Sequence, residues 1–303
     1  MKLASPDLVP HYIDRHTDQL VEERNAHSKV LHWIARSKFF RSTLNVLFNR
    51  RWYCRLYGLW VDRSASQRNI KKFIQDFHID VSQIEKPVDQ YTDLNAFFSR
   101  KLKPESRPFA QDASIFCSPA DGKILVYPQL SERTLLPIKG SHVDISALLA
   151  SESDTRLFHG GSACILRLAP NDYHRFHFPT DGQSCPPRTI DGRYYPVNQL
   201  ALSIKPDLFA HNKRALTYID SKCFGRFSYI EVSGFAVGRI IQTHLPGPIK
   251  QGQEKGYFQF GGSTLVLLFE PDRINFDQDL IGHTQSNLEV QVQAGTQIGT
   301  QRV

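Results

Sequence analysis

The chain lacks any apolar run long enough to cross a bilayer as a helix. No stretch of its 303 residues approaches the roughly 18 consecutive apolar residues that a spanning helix needs. It lacks paired cysteines too. Cys54, Cys117, Cys164, Cys185 and Cys223 are scattered with no C-x-x-C spacing, so the close ligand pairs of a zinc site are missing. Reduced thiols acting as small apolar residues are expected instead. No internal repeat or low-complexity segment stands out. No zinc-finger spacing or RNP-type motif is present, and no nucleic-acid partner is expected. Met1–Val21 is interrupted by charges and prolines, unlike a secretory signal, so the protein is expected to stay in the compartment where it is made.

Acidic residues are scarce in one region. Residues 1–72 hold 14 Lys/Arg against 6 Asp/Glu, and within 29–72 the only acid is Asp62 among 11 basic residues. The rest of the chain is close to neutral, so the whole net charge of +7 comes from the first quarter. Residues 27–60 read as an amphipathic helical stretch: Trp33, Phe40, Leu44, Leu47 and Phe48 fall near helical spacing, with Arg36, Lys38, Arg41, Arg50 and Arg51 around them. Trp52, Tyr53, Tyr57 and Trp60 add aromatics. Such a segment suits a membrane interface, and it equally suits a helical subdomain packed on the main body with a solvated basic face.

Gln67–Phe77 reads as a second helical stretch. Residues 91–102 read as a short helix capped by Thr92 or Asp93 and ended before Pro104 and Pro108. After residue 112 the pattern changes to short apolar or alternating runs separated by turn residues: 123–127, 163–168, 215–219, 228–232, 237–242, 264–269 and 288–292. The expected class is α+β: a helical N-terminal region over 1–88 followed by a mainly antiparallel β catalytic domain over 89–303.

Three short segments carry candidate chemistry. In Phe260-Gly261-Gly262-Ser263-Thr264, two glycines allow backbone angles that other residues refuse, so the Gly262 carbonyl can be brought to the Ser263 hydroxyl. Attack there gives an N-to-O acyl shift. Taken alone, the same residues make a bulge or tight turn into a strand. Ser118-Pro119-Ala120-Asp121-Gly122 is by itself a turn, but it offers a carboxylate. Arg167 to His177 contains His174 and His177, three apart: one face on a helix, opposite faces on a strand. A base for the serine and an acid group to orient that base are what such chemistry requires. Position 265 is Leu, so the Gly-x-Ser-x-Gly element of an ordinary serine hydrolase is absent. No ligand cluster accompanies the two histidines, and no metal is expected.

Together these segments resemble the phosphatidylserine decarboxylase proenzymes. The likeness extends to Leu94–Pro104 with Arg107-Pro108, to Ile138-Lys139-Gly140, to Tyr195–Asn198, to Asn212-Lys213-Arg214 and to Gly252–Phe258. The family commonly has Leu-Gly-Ser-Thr at the cut, where this chain has Gly261 in place of the leucine. The resemblance implies a self-processing triad of Asp121, His177 and Ser263, with cleavage between Gly262 and Ser263. It implies chains 1–262 and 263–303 that stay together as a heterodimer, and a covalent pyruvoyl group derived from Ser263 as cofactor. It assigns His174 to decarboxylation, as acid or as a substrate contact. The implied reaction converts phosphatidylserine to phosphatidylethanolamine, peripherally on the cytoplasmic face of the cell membrane. Some relatives act instead on a soluble amino acid. Arg167 and Arg175 are candidates to meet a phosphate or to lie on the surface.

Overall fold

The structure is a computed structural model that describes residues 11–23, 59–130, 135–138, 141–194, 208–236 and 239–302. Its centre is an eleven-stranded sheet. In spatial order its central strands are Arg214–Ser221, Gly225–Ala236, Gly261–Phe269, Ser162–Leu168, Gly122–Tyr127 and Glu289–Val292, each antiparallel to the next. These are the runs rich in Val, Ile, Leu and Phe, and burial on both faces suits such continuous apolar sequence. The described residues thus form a mixed fold dominated by antiparallel sheet, with few helices.

Two cores lie on opposite faces of this sheet. Strand alternation sends Leu265, Leu267 and Phe269 into one core, with Phe176, Phe178, Tyr229 and Phe258. It sends Val266 and Leu268 into the other, with Ile145, Leu149 and Phe158. A three-stranded sheet of Ile240–Gln242, Glu254–Phe258 and Arg175–His177 supplies Phe176 and Phe258 to the first core.

The expectation of a helical N-terminal region needs correction. His11–Asp14 and Gln19–Glu22 form an antiparallel hairpin, and His11–Asp14 pairs parallel with Glu289–Val292 at the edge of the large sheet. Asp18 takes the turn at φ 53°, a left-handed conformation that aspartate tolerates better than most residues. Arg15 fixes the hairpin to the helix Gln278–Gln285, with Nε 2.6 Å from Asp279 and Nη2 2.7 Å from Asp277. The amphipathic stretch expected over 27–60 falls outside the described residues except at Leu59 and Trp60, which begin a helical turn.

The helical pieces before residue 98 are short: a 3-10 turn Ser64–Asn69 runs into the α-helix Ile70–Phe77, close to the stretch expected over 67–77, and the helix expected over 91–102 spans only Leu94–Phe98. Asp93 caps the latter by accepting from the Ala96 N–H at 2.8 Å. Val61, Ile70, Phe73, Ile84, Leu94, Phe97 and Phe98 form a third core. Phe260 packs against it from the other side, so this helical piece meets the chain three residues before Ser263.

Candidate active site

Ser263 lies inside a central strand. It pairs with Ser233 on one side and Leu168 on the other. Alternation puts it on the face of Leu265 and Leu267, toward the small sheet that carries His177. Ser263 is fully buried and its Oγ has no hydrogen-bond partner. A buried hydroxyl without a partner is costly, so this atom is held ready at the expense of stability. Just before it, Gly261 has φ 147°, where side chains are strained. The pairing with Gly225–Ala236 also slips between Ser233 and Ala236, a bulge beside Ser263. Glycine in place of the family's leucine therefore matches the backbone it must adopt.

Asp121 reaches the same end of the sheet through strand register. Lys123 pairs with Arg167, so Gly122 comes level with Leu168, the partner of Ser263. A Cβ at Gly122 would sit 2.7 Å from the Arg167 carbonyl oxygen, so no larger residue fits without a shift. The Asp121 carboxylate is buried. Oδ1 accepts from Arg107 Nε at 2.8 Å and from the Ala294 N–H at 2.8 Å, and Oδ2 accepts from Arg107 Nη2 at 2.6 Å.

His177 ends the strand Arg175–His177. Its backbone N–H donates to the Pro119 carbonyl at 2.8 Å, which ties it to the turn that carries Asp121. The ring stacks near Tyr173, with centroids 5.7 Å apart, and lies 5.5 Å from Phe109. Its Nδ1 is buried and without a partner, so no hydrogen bond joins it to Asp121. Burial pushes the imidazole down to about 4, with Glu254, its strand partner, pulling the other way.

His174 precedes that strand and is fully buried. Its ring centroid is 3.9 Å from that of Phe98. The Nδ1 is 2.9 Å from the Asp172 carbonyl oxygen, which can only accept, so Nδ1 carries the proton. Nε2 then presents a lone pair with no partner. Burial pushes this imidazole down to about 3, so it is neutral at ordinary pH. The loop before it is tightly held: Asp172 accepts from the Ala169 N–H at 2.7 Å and pairs with buried Lys123 at 3.1 Å.

Among the other charged residues, the sequence singles out only Arg167 and Arg175. Arg107 was legible only as part of the Arg107-Pro108 match. Lys255 is the extra residue of a bulge between Glu254 and Gly256, and its Nζ is 2.5 Å from Glu231 Oε1, both buried, and 2.8 Å from half-buried Gln242 Oε1. Glu231 sits two residues from Ser233, on the Ser263 side of its strand. Neither candidate phosphate arginine is free. Arg167 is buried between Glu23, at 2.9 Å, and Glu289, at 2.6 Å, which also corrects its reading as a surface residue. Arg175 pairs with Glu254 at 2.8 Å. Among the described residues no group of three or more His, Cys, Asp or Glu is arranged to hold a metal ion.

Comparison with known proteins decides the family. Residues 94–300, which include Asp121, His174, His177 and Ser263, match the family described as phosphatidylserine decarboxylase. The chain belongs to that family. It is 39% identical over 292 residues to the phosphatidylserine decarboxylase proenzyme of Clostridium botulinum, covering 96% of this chain and 99% of the relative. It is 39% identical to the proenzyme of Chlamydia trachomatis (95% and 96% covered) and 40% identical to that of Ruminiclostridium cellulolyticum (94% and 96% covered). The phosphatidylserine decarboxylase match therefore extends beyond residues 94–300 to nearly the whole length.

Proposed function

We propose that the chain converts phosphatidylserine to phosphatidylethanolamine with a pyruvoyl group made from its own Ser263. The observation that carries this reading is the buried, unpartnered Ser263 Oγ behind a glycine at φ 147°, in a chain of this family. Ser263 Oγ attacks the Gly262 carbonyl, the peptide becomes an ester, and elimination divides the chain into 1–262 and 263–303. His177, neutral because it is buried, accepts the hydroxyl proton. Asp121 serves as the orienting acid of this triad. Because Arg107 and Ala294 occupy its oxygens, forming the triad means exchanging an Arg107 contact for His177.

The residues present fit such a group: the buried Ser263 Oγ has no competing partner, elimination of its ester leaves dehydroalanine at 263, and water hydrolyses that, with loss of ammonia, to the ketone. Once made, it supplies a carbonyl that accepts the electrons left when CO2 departs. His174 works through Nε2: its resting lone pair takes a proton from the incoming ammonium and returns it to the carbon that has lost CO2. Burial disfavours the imidazolium, so the proton is passed on rather than kept.

We also propose that residues 89–303 carry the decarboxylase and that 1–88 includes its membrane-facing part, acting peripherally on the cytoplasmic face. Exposed Leu59 and Trp60 beside Arg63, in the basic first quarter, support this. Intact-mass measurement tests the reading. Purified protein should be two chains with a ketone-capped terminus at 263, and Ser263→Ala should be one chain that releases no CO2 from phosphatidylserine vesicles. Cleavage of the Ser263→Ala chain at the same bond would refute the site.

A further inference from the structure

Five cations are buried among the described residues: Arg100, Lys123, Arg167, Arg214 and Lys255. Three are bonded to carboxylates: Lys123 to Asp172, Arg167 to Glu23 and Glu289, Lys255 to Glu231. Arg214 spends Nε, Nη1 and Nη2 on four backbone carbonyls. Arg100 differs. Only Nη2 donates, to the carbonyls of Asn171 at 3.0 Å and Asp172 at 3.3 Å, while Nε and Nη1 are buried with no partner. A buried guanidinium with unused donors and no bonded counter-charge is expensive. The carboxylates that act on it at range, Asp121 and Asp172, are already bonded to Arg107 and Lys123.

Its position gives the vacancy in its bonding a meaning. The Asp172 carbonyl that takes Arg100 Nη2 is the same oxygen that takes His174 Nδ1. The guanidinium and the imidazole are thus neighbours on one acceptor, at the Nδ1 edge of the ring whose Nε2 is assigned to proton transfer. Arg100 also lies over the Phe97 ring at 5.3 Å, and Phe97 is edge-on to Tyr91, whose buried hydroxyl is unpartnered as well. We propose that Arg100, helped by the Tyr91 hydroxyl, holds an oxyanion of the substrate next to His174. The assignment rests on the decarboxylase reading. Phosphatidylserine has two such groups, its carboxylate and its phosphodiester, and both suit charge-assisted donation from arginine.

The two sources differ in kinetics. A phosphodiester is held equally before and during loss of CO2, so losing its partner raises KM alone. A carboxylate is held only until CO2 departs, so losing its partner raises KM and kcat together.

The test compares the wild type with Arg100→Gln and Arg100→Lys on phosphatidylserine vesicles. It adds a readout that needs no processed enzyme, the thermal shift of the uncut Ser263→Ala chain by glycerophosphocholine (a phosphodiester without carboxylate) and by N-acetylserine (a carboxylate without phosphate). Self-cleavage should proceed in both Arg100 variants. KM should rise on the order of ten- to a hundredfold in Arg100→Gln and less in Arg100→Lys, which keeps a cation. One of the two probes should stabilise the uncut chain, and that shift should vanish when Arg100→Gln is added. Unchanged KM in both variants overturns the assignment, and so does failure of both probes to stabilise the uncut chain, a result that stands even if the variants do not fold. Loss of self-cleavage in a folded variant also overturns it, because Arg100 would then serve the precursor. A wild type that is cut yet releases no CO2 from phosphatidylserine overturns the decarboxylase reading instead.

Discussion

Arg107 grips Asp121 along two edges, Nε to Oδ1 and Nη2 to Oδ2, where a catalytic triad would place a histidine. The carboxylate is buried and the arginine nearly so, which makes this contact strong compared with exposed ion pairs. It also means that Asp121, the acid group proposed for self-processing, has a holder of its own. Arg107→Leu leaves a buried charge with one backbone donor. We expect a loss of about 3–5 kcal/mol in stability, together with slower self-cleavage, read by denaturant unfolding and by intact mass against time. Unchanged kinetics of cutting would show that the Arg107 grip has no part in that step.

The two histidines should separate by function. His177→Ala should remain uncut. His174→Ala should be cut normally but decarboxylate about 10²–10⁴ times more slowly, the range general acid–base groups supply. Accumulation of uncut precursor in His174→Ala would reverse the division of roles.

Acid should destabilise the fold through the same pair. Folded values of about 3 for His174 and about 4 for His177 lie below the ordinary 6.5. The unfolded chain therefore binds more protons than the folded one between pH 6.5 and those values. Stability from these groups is fully present above about pH 6.5 and is lost as pH falls toward 4 and then 3, at about 1.4 kcal/mol per unit of separation. Denaturant midpoints of the wild type and of a His174→Gln/His177→Gln protein, taken across this range, should diverge, with the variant falling less. Parallel curves would mean that the rings are solvated.

Lys255 and Glu231 join the small sheet to the strand beside Ser263. Burial alone would lower the lysine and raise the glutamate, and each offsets the other's cost. Lys255→Met strands a buried carboxylate and should cost about 3–5 kcal/mol, whereas Lys255→Met with Glu231→Leu should recover most of it. Thermal melts of the three proteins decide this. A double variant as unstable as the single one would show that packing, not charge, is what was lost.

Local pattern made the central strands legible, because apolar runs such as Leu265–Phe269 are buried on both faces. The helix at Leu94–Phe98 and its Asp93 cap were legible too, since a cap is a local device. The N-terminal hairpin was not. Its strands are only four residues each, half of them polar, and the sheet edge that His11–Asp14 joins begins at Glu289, so nothing nearby in sequence signals that pairing. The histidine spacing did not decide between helix and strand, and neither period applies: His174 precedes the strand that His177 ends. The grip of Arg107, the bulge at Lys255 and the bare donors of Arg100 are tertiary facts. Sequence gives the type of such a residue, and only the packed chain gives its partners.

The strand Gly261–Phe269 lies mid-sheet, flanked on both sides, and the 41 residues from Ser263 onward also contribute Ile274–Phe276, Glu289–Val292 and Gln297–Gln301. Severing the backbone at Gly262 would therefore free nothing. The shorter piece would stay braided through the longer one, zipped by ladders on either flank, and would leave only when the whole weave comes undone. Native purification should yield both fragments in equal amounts, with a denaturing gel needed to tell them apart.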